Sequence, residues 1–380
     1  MPSSVVVLAD DLTSAADGAA PFRRSGHRAL VLFAPPEGLP AAAPAREAGV
    51  TAVDLGTRLA DATEAADRTR CAAGTFARAD LLVKTVDSTL RGHVAAEIRA
   101  ALTGSGRRAA VVAPAFPAEG RTTVGGVQYV RGVRVDESEF ARDPAHPVRS
   151  ADLTRVLPEA TVVEPGQLCV LSELINTGGV FVCSAATDAE LDAVVAAVSH
   201  PEDVLWVGSP GLAAALARRH PRDPADAFPE LPAVRRPLTV VGSANPASRR
   251  QLAALYEQSG AAGADAEDLT APVLALHTPD EPGADPAGLV DRLASDAGKL
   301  TGMGLADGLV LTGGETAAAV LGALGATGIE LYDEPEPGIA RGTVYGPGAP
   351  RVPVLIKAGG FGDDGTLVRL CALLADGAAR

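Results

Sequence analysis

Residues 84–93, KTVDSTLRGH, place Lys84, Asp87, Ser88, Thr89, Arg91 and His93 within one short stretch, directly after the apolar run 81–83. In an open α/β sheet, ligands bind in the crevice beyond the carboxyl ends of buried strands. Cations, a carboxylate and hydroxyls gathered there suit a polyhydroxylated anion: the cations meet its charge and the short polar groups meet its hydroxyls. Gly92 lets the backbone approach a bulky neighbour. A plainer account of the same residues makes Asp87 or Ser88 the N-cap of the next helix, with Arg91 and Glu97 as surface charges.

The apolar run 4–9 stops at Asp10 and Asp11. Adjacent carboxylates are costly to bury together, so a cation, a ligand or a catalytic need is expected beside them. Capping of the helix that starts at Thr13 and Ser14 accounts for one of the two. Arg58 follows the strand 51–55 together with Thr57, and Arg121 lies beside Thr122 and Thr123 after the strand 109–113. Arg58, Arg91 and Arg121 thus each follow a strand, as local cations for an anionic ligand would.

The later part of the chain repeats a different pattern. Strands 238–241, 308–311 and 352–356 run into Gly242 and Ser243, into Gly313, Gly314, Glu315 and Thr316, and into Gly359 and Gly360. Glycine turns that open helices present free backbone N–H groups to an anion. Glu315 would repel a phosphate unless it meets a ribose hydroxyl or a metal; a Thr312 cap with Glu315 in a capping box is the structural alternative. Gly360, Gly362 and Gly365 match GxGxxG after a strand, but no further strand carrying an acidic residue follows, which argues against a dinucleotide-binding dehydrogenase. A Walker A sequence is absent as well.

Strand and helix patterns alternate along the chain, which indicates βαβ units in mainly parallel sheets flanked by helices, an α/β fold. At 380 residues two domains are expected, 1–232 and 233–380, joined by the Pro-rich stretch 221–237. Pro21 is expected to end or kink the first helix, and 143–153 reads as a rigid loop or lid. A net charge of −14 disfavours nucleic acid and anionic membranes as partners. Four dispersed cysteines disfavour zinc and disulfides; with no signal peptide or membrane-spanning run in view, a cytoplasmic protein is expected.

Five motifs in order, ADDLT at 9–13, KTVDSTLRG at 84–92, GR at 120–121, LTGGET at 311–316 and KAGGFG at 357–362, resemble the four-carbon acid sugar kinase family over nearly the whole chain. The resemblance implies an N-terminal acid-sugar domain, a C-terminal ATP domain and an active site in the cleft between them. It implies substrate contacts from Asp11, Arg58, Lys84, Asp87 and Ser88, to which the local chemistry adds Asp10, Arg91 and Arg121. It implies ATP contacts from Ser243, the turn Gly313, Gly314, Glu315 and Thr316, and Gly359, with Gly360 beside it. ATP and Mg²⁺ are the implied cofactors, and threonate, erythronate and 3-oxo-tetronate the implied acceptors, phosphorylated on the terminal 4-hydroxyl. Phosphoryl transfer needs positioning, charge neutralisation and a group to take the hydroxyl proton; Asp11 is the expected base, Asp87 the second choice and Asp10 a structural partner. Ser14, where the family generally has glycine, and Pro21 depart from the pattern. A homodimer is the expected assembly. The competing reading is a sensor that binds a sugar acid and ATP without catalysis.

Overall fold

Short apolar runs rich in β-branched residues form strands buried on both faces, the condition of a parallel sheet covered by helices. The computed structural model describes residues 4–34, 49–143, 146–222, 231–243, 245–263, 269–279 and 286–376. The chain divides into two compact units, Met1–Ala225 and Asp226–Arg380. Residues 223–230 of the expected linker 221–237 lie outside the described residues, as do 144–145 of the expected lid and most of the proline-rich loops after Phe33 and Pro279.

The N-terminal unit begins β1 Val5–Ala9, α1 Leu12–Arg24, β2 Ala29–Phe33, β3 Val50–Asp54, α2 Ala62–Thr75, β4 Leu81–Thr85, α3 Val94–Ser105 and β5 Ala109–Ala113. It continues with β6 Arg121–Val124, β7 Val127–Val130, β8 Val133–Arg134, α4 Leu153–Val156, β9 Ala160–Val163, α5 Leu171–Thr177, β10 Gly179–Cys183, α6 Asp188–Ala196, β11 Val204–Gly208 and α7 Pro210–Arg219. Its main sheet runs β2-β3-β1-β4-β11-β5-β10-β9, with every neighbouring pair parallel. From β1 the chain goes out to β2, returns to β3 between the two, then crosses to β4 on the other side of β1. The carboxyl ends of β3, β1 and β4 therefore flank a topological switch point, where ligands bind in open α/β sheets. Val6, Leu8, Val53, Leu82, Ile98, Val112 and Leu205 belong to the core packed on this sheet.

One local expectation is corrected in part. Pro21 does not end α1, which continues to Arg24. The proline nitrogen has no N–H to give to the preceding turn, and other contacts carry the helix past it. Buried Ala15, Ala16, Ala19, Ala20 and Phe22 hold the face in place, and the N–H groups of Ser25, Gly26 and His27 close the end on Phe22 and Arg23 carbonyls. The stretch that carries Arg121 adds a second sheet, the antiparallel β6, β7 and β8.

The C-terminal unit comprises β12 Pro237–Val241, α8 Pro246–Ser259, β13 Ala262–Gly263, β14 Leu274–His277, α9 Pro286–Gly302, β15 Gly308–Thr312, α10 Gly314–Ala323, β16 Gly328–Glu336, β17 Ile339–Tyr345, β18 Pro353–Lys357 and α11 Thr366–Ala375. Its strands run β13-β14-β12-β15-β18-β17-β16. The pairs from β13 to β18 are parallel, whereas β17 is antiparallel to both of its neighbours. Val241, Leu255, Val310, Leu355, Leu367 and Leu370 form its core.

Candidate active site

Register places the N-terminal polar groups together. Ala9 pairs with Asp54 across β1 and β3, and Leu8 with Lys84 across β1 and β4, so Asp10, Asp11, Asp54 and Lys84 emerge from adjacent strand ends. Asp11 is the N-cap of α1: its Oδ1 accepts the Ser14 N–H at 2.8 Å and the Thr13 hydroxyl at 3.0 Å. Asp10 takes the other role. Arg58 grips it with two donors, Nε on Oδ2 and Nη2 on Oδ1 at 3.0 Å, the fork geometry that suits a carboxylate. The same Nη2 lies 3.5 Å from Asp11 Oδ2 and donates to Ser14 Oγ at 3.4 Å. Burial alone would raise the Asp10 carboxyl, but the charge and hydrogen bonds of Arg58, with Lys84 farther off, hold it below the usual range. The cation expected beside the two aspartates is Arg58.

The 84–93 loop packs onto this pair. Gly92 has φ +87, and a Cβ there would lie 3.0 Å from Asp10 Oδ2 and 3.4 Å from Arg58 Nε. The α3 N-cap is His93, without a side-chain capping bond, so neither Asp87 nor Ser88 caps this helix. Asp87 Oδ2 instead accepts Thr89 Oγ1 at 2.5 Å and Arg91 Nε at 2.6 Å. Burial opposes its ionisation, yet Arg91 and then Arg58 keep it well below the ordinary carboxylate range. Arg91 also lies 3.4 Å from Asp143 and over the Phe140 ring at 5.3 Å. Ser88 is buried and its Oγ has no hydrogen-bond partner among the described residues, a costly state that a ligand would relieve. Leu90 holds φ +62 in this loop, local strain of the kind that clusters at ligand sites.

Two of the expected cations face inward. Lys84 is fully buried, 3.0 Å from Glu97 Oε2 and donating to the Thr85 carbonyl at 2.6 Å. Arg121 is buried at the start of β6, where it donates to the Glu119 carbonyl and, at 3.0 Å, to Glu119 Oε2. Burial lowers its basicity, partly offset by Glu119 and Asp87. Sequence reasoning missed several residues here. Asp54 was read as strand, although its place at the strand end was the available signal. Glu97 read as surface charge. His146 carries no signal in the sequence; it and His93, which the polar stretch 84–93 includes, donate to the Arg58 and Ala60 carbonyls, the latter at 2.7 Å, with their rings edge to face at 5.3 Å.

In the C-terminal unit, Val241 pairs with Thr312 and Thr312 with Lys357, so the three glycine turns lie side by side. Gly313, at φ +98, is the N-cap of α10 and supplies no side-chain bond; the Thr312–Glu315 capping box does not form. Thr312 Oγ1 is buried without a partner among the described residues. The open helix start therefore keeps its N–H groups for a ligand. Burial, with Asp291 nearby, raises the Glu315 carboxyl. Gly359 packs so closely on Ser243 that any Cβ would strike the serine hydroxyl, and a Cβ on Gly360 would lie 3.3 Å from Asn245 Nδ2. Ser248 Oγ donates to the Gly359 carbonyl at 2.8 Å. Buried Lys357 donates to the Ala358, Gly359 and Phe361 carbonyls at 2.8, 3.5 and 3.1 Å, fixing the last turn from beneath. Ser243, Gly313, Gly314, Glu315, Thr316, Gly359 and Gly360 thus share one edge of this unit.

Comparison with known proteins gives the same division. The sugar-binding N-terminal domain family matches residues 5–216 and the nucleotide-binding C-terminal domain family residues 283–367. A sugar-binding unit followed by a nucleotide-binding unit is the organisation of a kinase for a sugar-like acceptor. The chain belongs to the four-carbon acid sugar kinase family: it is 35% identical to the D-threonate kinase of Bordetella bronchiseptica, over 96% of this chain and 95% of that one. It is also 35% identical to the D-threonate kinase of Cupriavidus necator, over 96% of each. Among solved structures, a Bordetella bronchiseptica domain of unknown function, a domain-swapped dimer with bound citrate, shares 32% identity and a TM-score of 0.52 over 98% of both chains. A Salmonella typhimurium protein described as a putative tRNA synthase shares the fold, with a TM-score of 0.77 at 20% identity over 96% of this chain and 98% of that one.

Proposed function

We propose that this ATP-dependent sugar-acid kinase transfers the γ-phosphoryl group of ATP to the terminal 4-hydroxyl of a four-carbon sugar acid, with D-threonate the first acceptor to test. The observation that carries the reading is the arrangement of Arg58 and Arg91 around Asp10, Asp11 and Asp87, beside the unpartnered Ser88 hydroxyl. Arg58 and Arg91 supply charge for the substrate carboxylate, and Ser88 and the aspartates accept or donate to its hydroxyls. The D-threonate kinases at 35% identity favour threonate, and the citrate in the Bordetella domain shows a polycarboxylate bound by a relative.

In this reading the acceptor oxygen attacks the γ-phosphorus, the bond to the β,γ-bridging oxygen breaks, and ADP leaves. Asp11 accepts the hydroxyl proton through Oδ2, because Oδ1 is engaged in capping α1. Lys84 and Arg121, turned inward, stabilise the site's carboxylates from below rather than touching substrate. The donor phosphates lie on the open start of α10 and on the Ser243 and Gly359 turns, where backbone N–H groups and the helix dipole neutralise charge. Among the described residues no group of three or more His, Cys, Asp or Glu side chains is placed to hold a metal. Mg²⁺ keeps several waters and binds mainly through substrate phosphates; in this reading it enters with ATP and adds charge neutralisation to the phosphates. A homodimer and a cytoplasmic location, where ATP is available, complete the proposal; among the described residues no helix is long and apolar enough to cross a membrane.

The test is coupled ADP release from Mg-ATP against D- and L-threonate, D- and L-erythronate and 3-oxo-tetronates generated in situ. Turnover with D-threonate above the others supports the full reading. ATP binding without turnover of any four-carbon acid would replace the kinase with the sensor.

A further inference from the structure

A buried polar chain runs beneath the Arg58 cluster. Lys84 and Glu97 form an ion pair of 3.0 Å with side chains 0% and 3% exposed, and the other Glu97 oxygen accepts Thr57 Oγ1 at 2.5 Å. Such a pair adds little net stability, since the cost of desolvating both charges offsets their attraction, and apolar residues of similar volume would serve the core as well. What it does is geometric. Lys84 is the penultimate residue of β4, Glu97 lies in the first turn of α3 and Thr57 sits in the turn after β3, so one carboxylate ties three elements together. Thr57 is also held through its main chain: the N–H groups of Thr57 and Arg58 both donate to the Asp10 carbonyl, at 2.9 and 3.0 Å. With side chain and backbone fixed at Thr57, the next residue, Arg58, has its starting point set.

We propose that Glu97 is a positioning residue which, through the Thr57 hydroxyl, fixes the Arg58 turn and thereby the affinity for the acid group of the substrate. The inference rests on the proposed sugar-acid reading for its kinetic consequence but not for its structural one. A guanidinium held at its base loses less freedom when it meets a carboxylate, so the tether acts on acceptor binding and leaves the nucleotide turns, in the other unit, untouched.

Thr57→Val removes only the hydroxyl and leaves the Lys84–Glu97 pair in place; Thr57→Ser keeps the bond. The expected result for Thr57→Val is a rise of about tenfold in KM for the accepted sugar acid, equivalent to ~1.4 kcal/mol and in the range of a hydrogen bond to a charged group. KM for ATP stays within about twofold, and Thr57→Ser is close to wild type. Amide hydrogen exchange over 55–58, measured in the full chain without ligand, rises in Thr57→Val. If Thr57→Val does not fold, Thr57→Ala, which also removes the hydroxyl and leaves the Lys84–Glu97 pair in place, is read in the same way. Unchanged exchange over 55–58 overturns the inference, as does an equal loss in both KM values accompanied by a lower Tm. Raised exchange in a protein that phosphorylates no sugar acid would support the tether and overturn the proposed function.

Discussion

Asp54 offers a test of the electrostatics that requires no substrate. It closes β3 in register with Ala9, is buried, and accepts the Gly56 N–H at 2.9 Å. Burial, opposed in part by the Gly56 bond and increased by the nearby charges of Asp11 and Asp10, pushes its carboxyl from 3.8 up to about 7. The folded protein therefore holds this proton more tightly than the unfolded chain does. Where the native state binds more protons, stability falls as pH rises: Asp54 costs nothing below pH ~4, and its cost grows as pH rises to about 7. At ~1.4 kcal/mol per pH unit, the full rise amounts to ~4 kcal/mol. Asparagine has the same shape, its amide oxygen still accepts from Gly56, and it carries no charge. Urea unfolding of wild type and Asp54→Asn at pH 4, 6 and 8 should show the variant gaining on wild type by ~4 kcal/mol across that range, and more stable than wild type at pH 8. Acid-side losses from Asp10 and Asp87 occur in both proteins and largely cancel in the difference. A stability difference that stays flat from pH 4 to 8 would refute the argument, because Asp54 would then ionise as it does in the unfolded chain.

Asp11→Asn preserves α1, since asparagine is as good an N-cap as aspartate, yet should lower kcat at least about a hundredfold; steady-state ADP release with an unchanged Tm checks this, and a loss of only a few fold removes Asp11 as the base. Arg58→Lys retains the charge but not the fork, so KM for the sugar acid should rise by ten- to a hundredfold, as measured by acceptor titration at saturating ATP. Lys357→Met releases the Ala358, Gly359 and Phe361 carbonyls and should raise KM for ATP about tenfold while leaving KM for the sugar acid near wild type; the two titrations on one preparation decide it.

The strand ends were legible because continuous apolar runs have only one comfortable place in a parallel sheet, and a charge at the end of such a run has to be accounted for. That logic marked Asp10, Asp11 and Arg58 in one unit and the three glycine turns in the other, and within each unit the register brings the strand ends side by side. Asp87 and Ser88 look like caps because local pattern favours that use, but the helix starts later, at His93, and Asp87 turns to Thr89 and Arg91. Lys84 was legible as a candidate substrate contact and Glu97 only as a charge. Their pairing with each other, and that of Glu97 with Thr57 across a separation of forty residues, depends on the packing of α3 against two strand ends, which no local spacing encodes. The antiparallel ribbon around Arg121 escaped because its glycines and threonines resemble those of a loop until β7 supplies the partner.

Lys357 has a consequence for the thermodynamics of nucleotide recognition. A run of glycines has many accessible backbone shapes, and a ligand that had to select one of them would meet an ordering cost of ~1–2 kcal/mol for each residue fixed. The ammonium beneath Ala358, Gly359 and Phe361 acts as a built-in counter-ion for their carbonyl dipoles and removes that freedom when the chain folds. In the proposed reading the turn is then held in one shape before the phosphate arrives. Nucleotide affinity in this unit should therefore come with little loss of backbone entropy, and should depend little on added monovalent cations, because the position such an ion would fill is already occupied by the protein's own side chain.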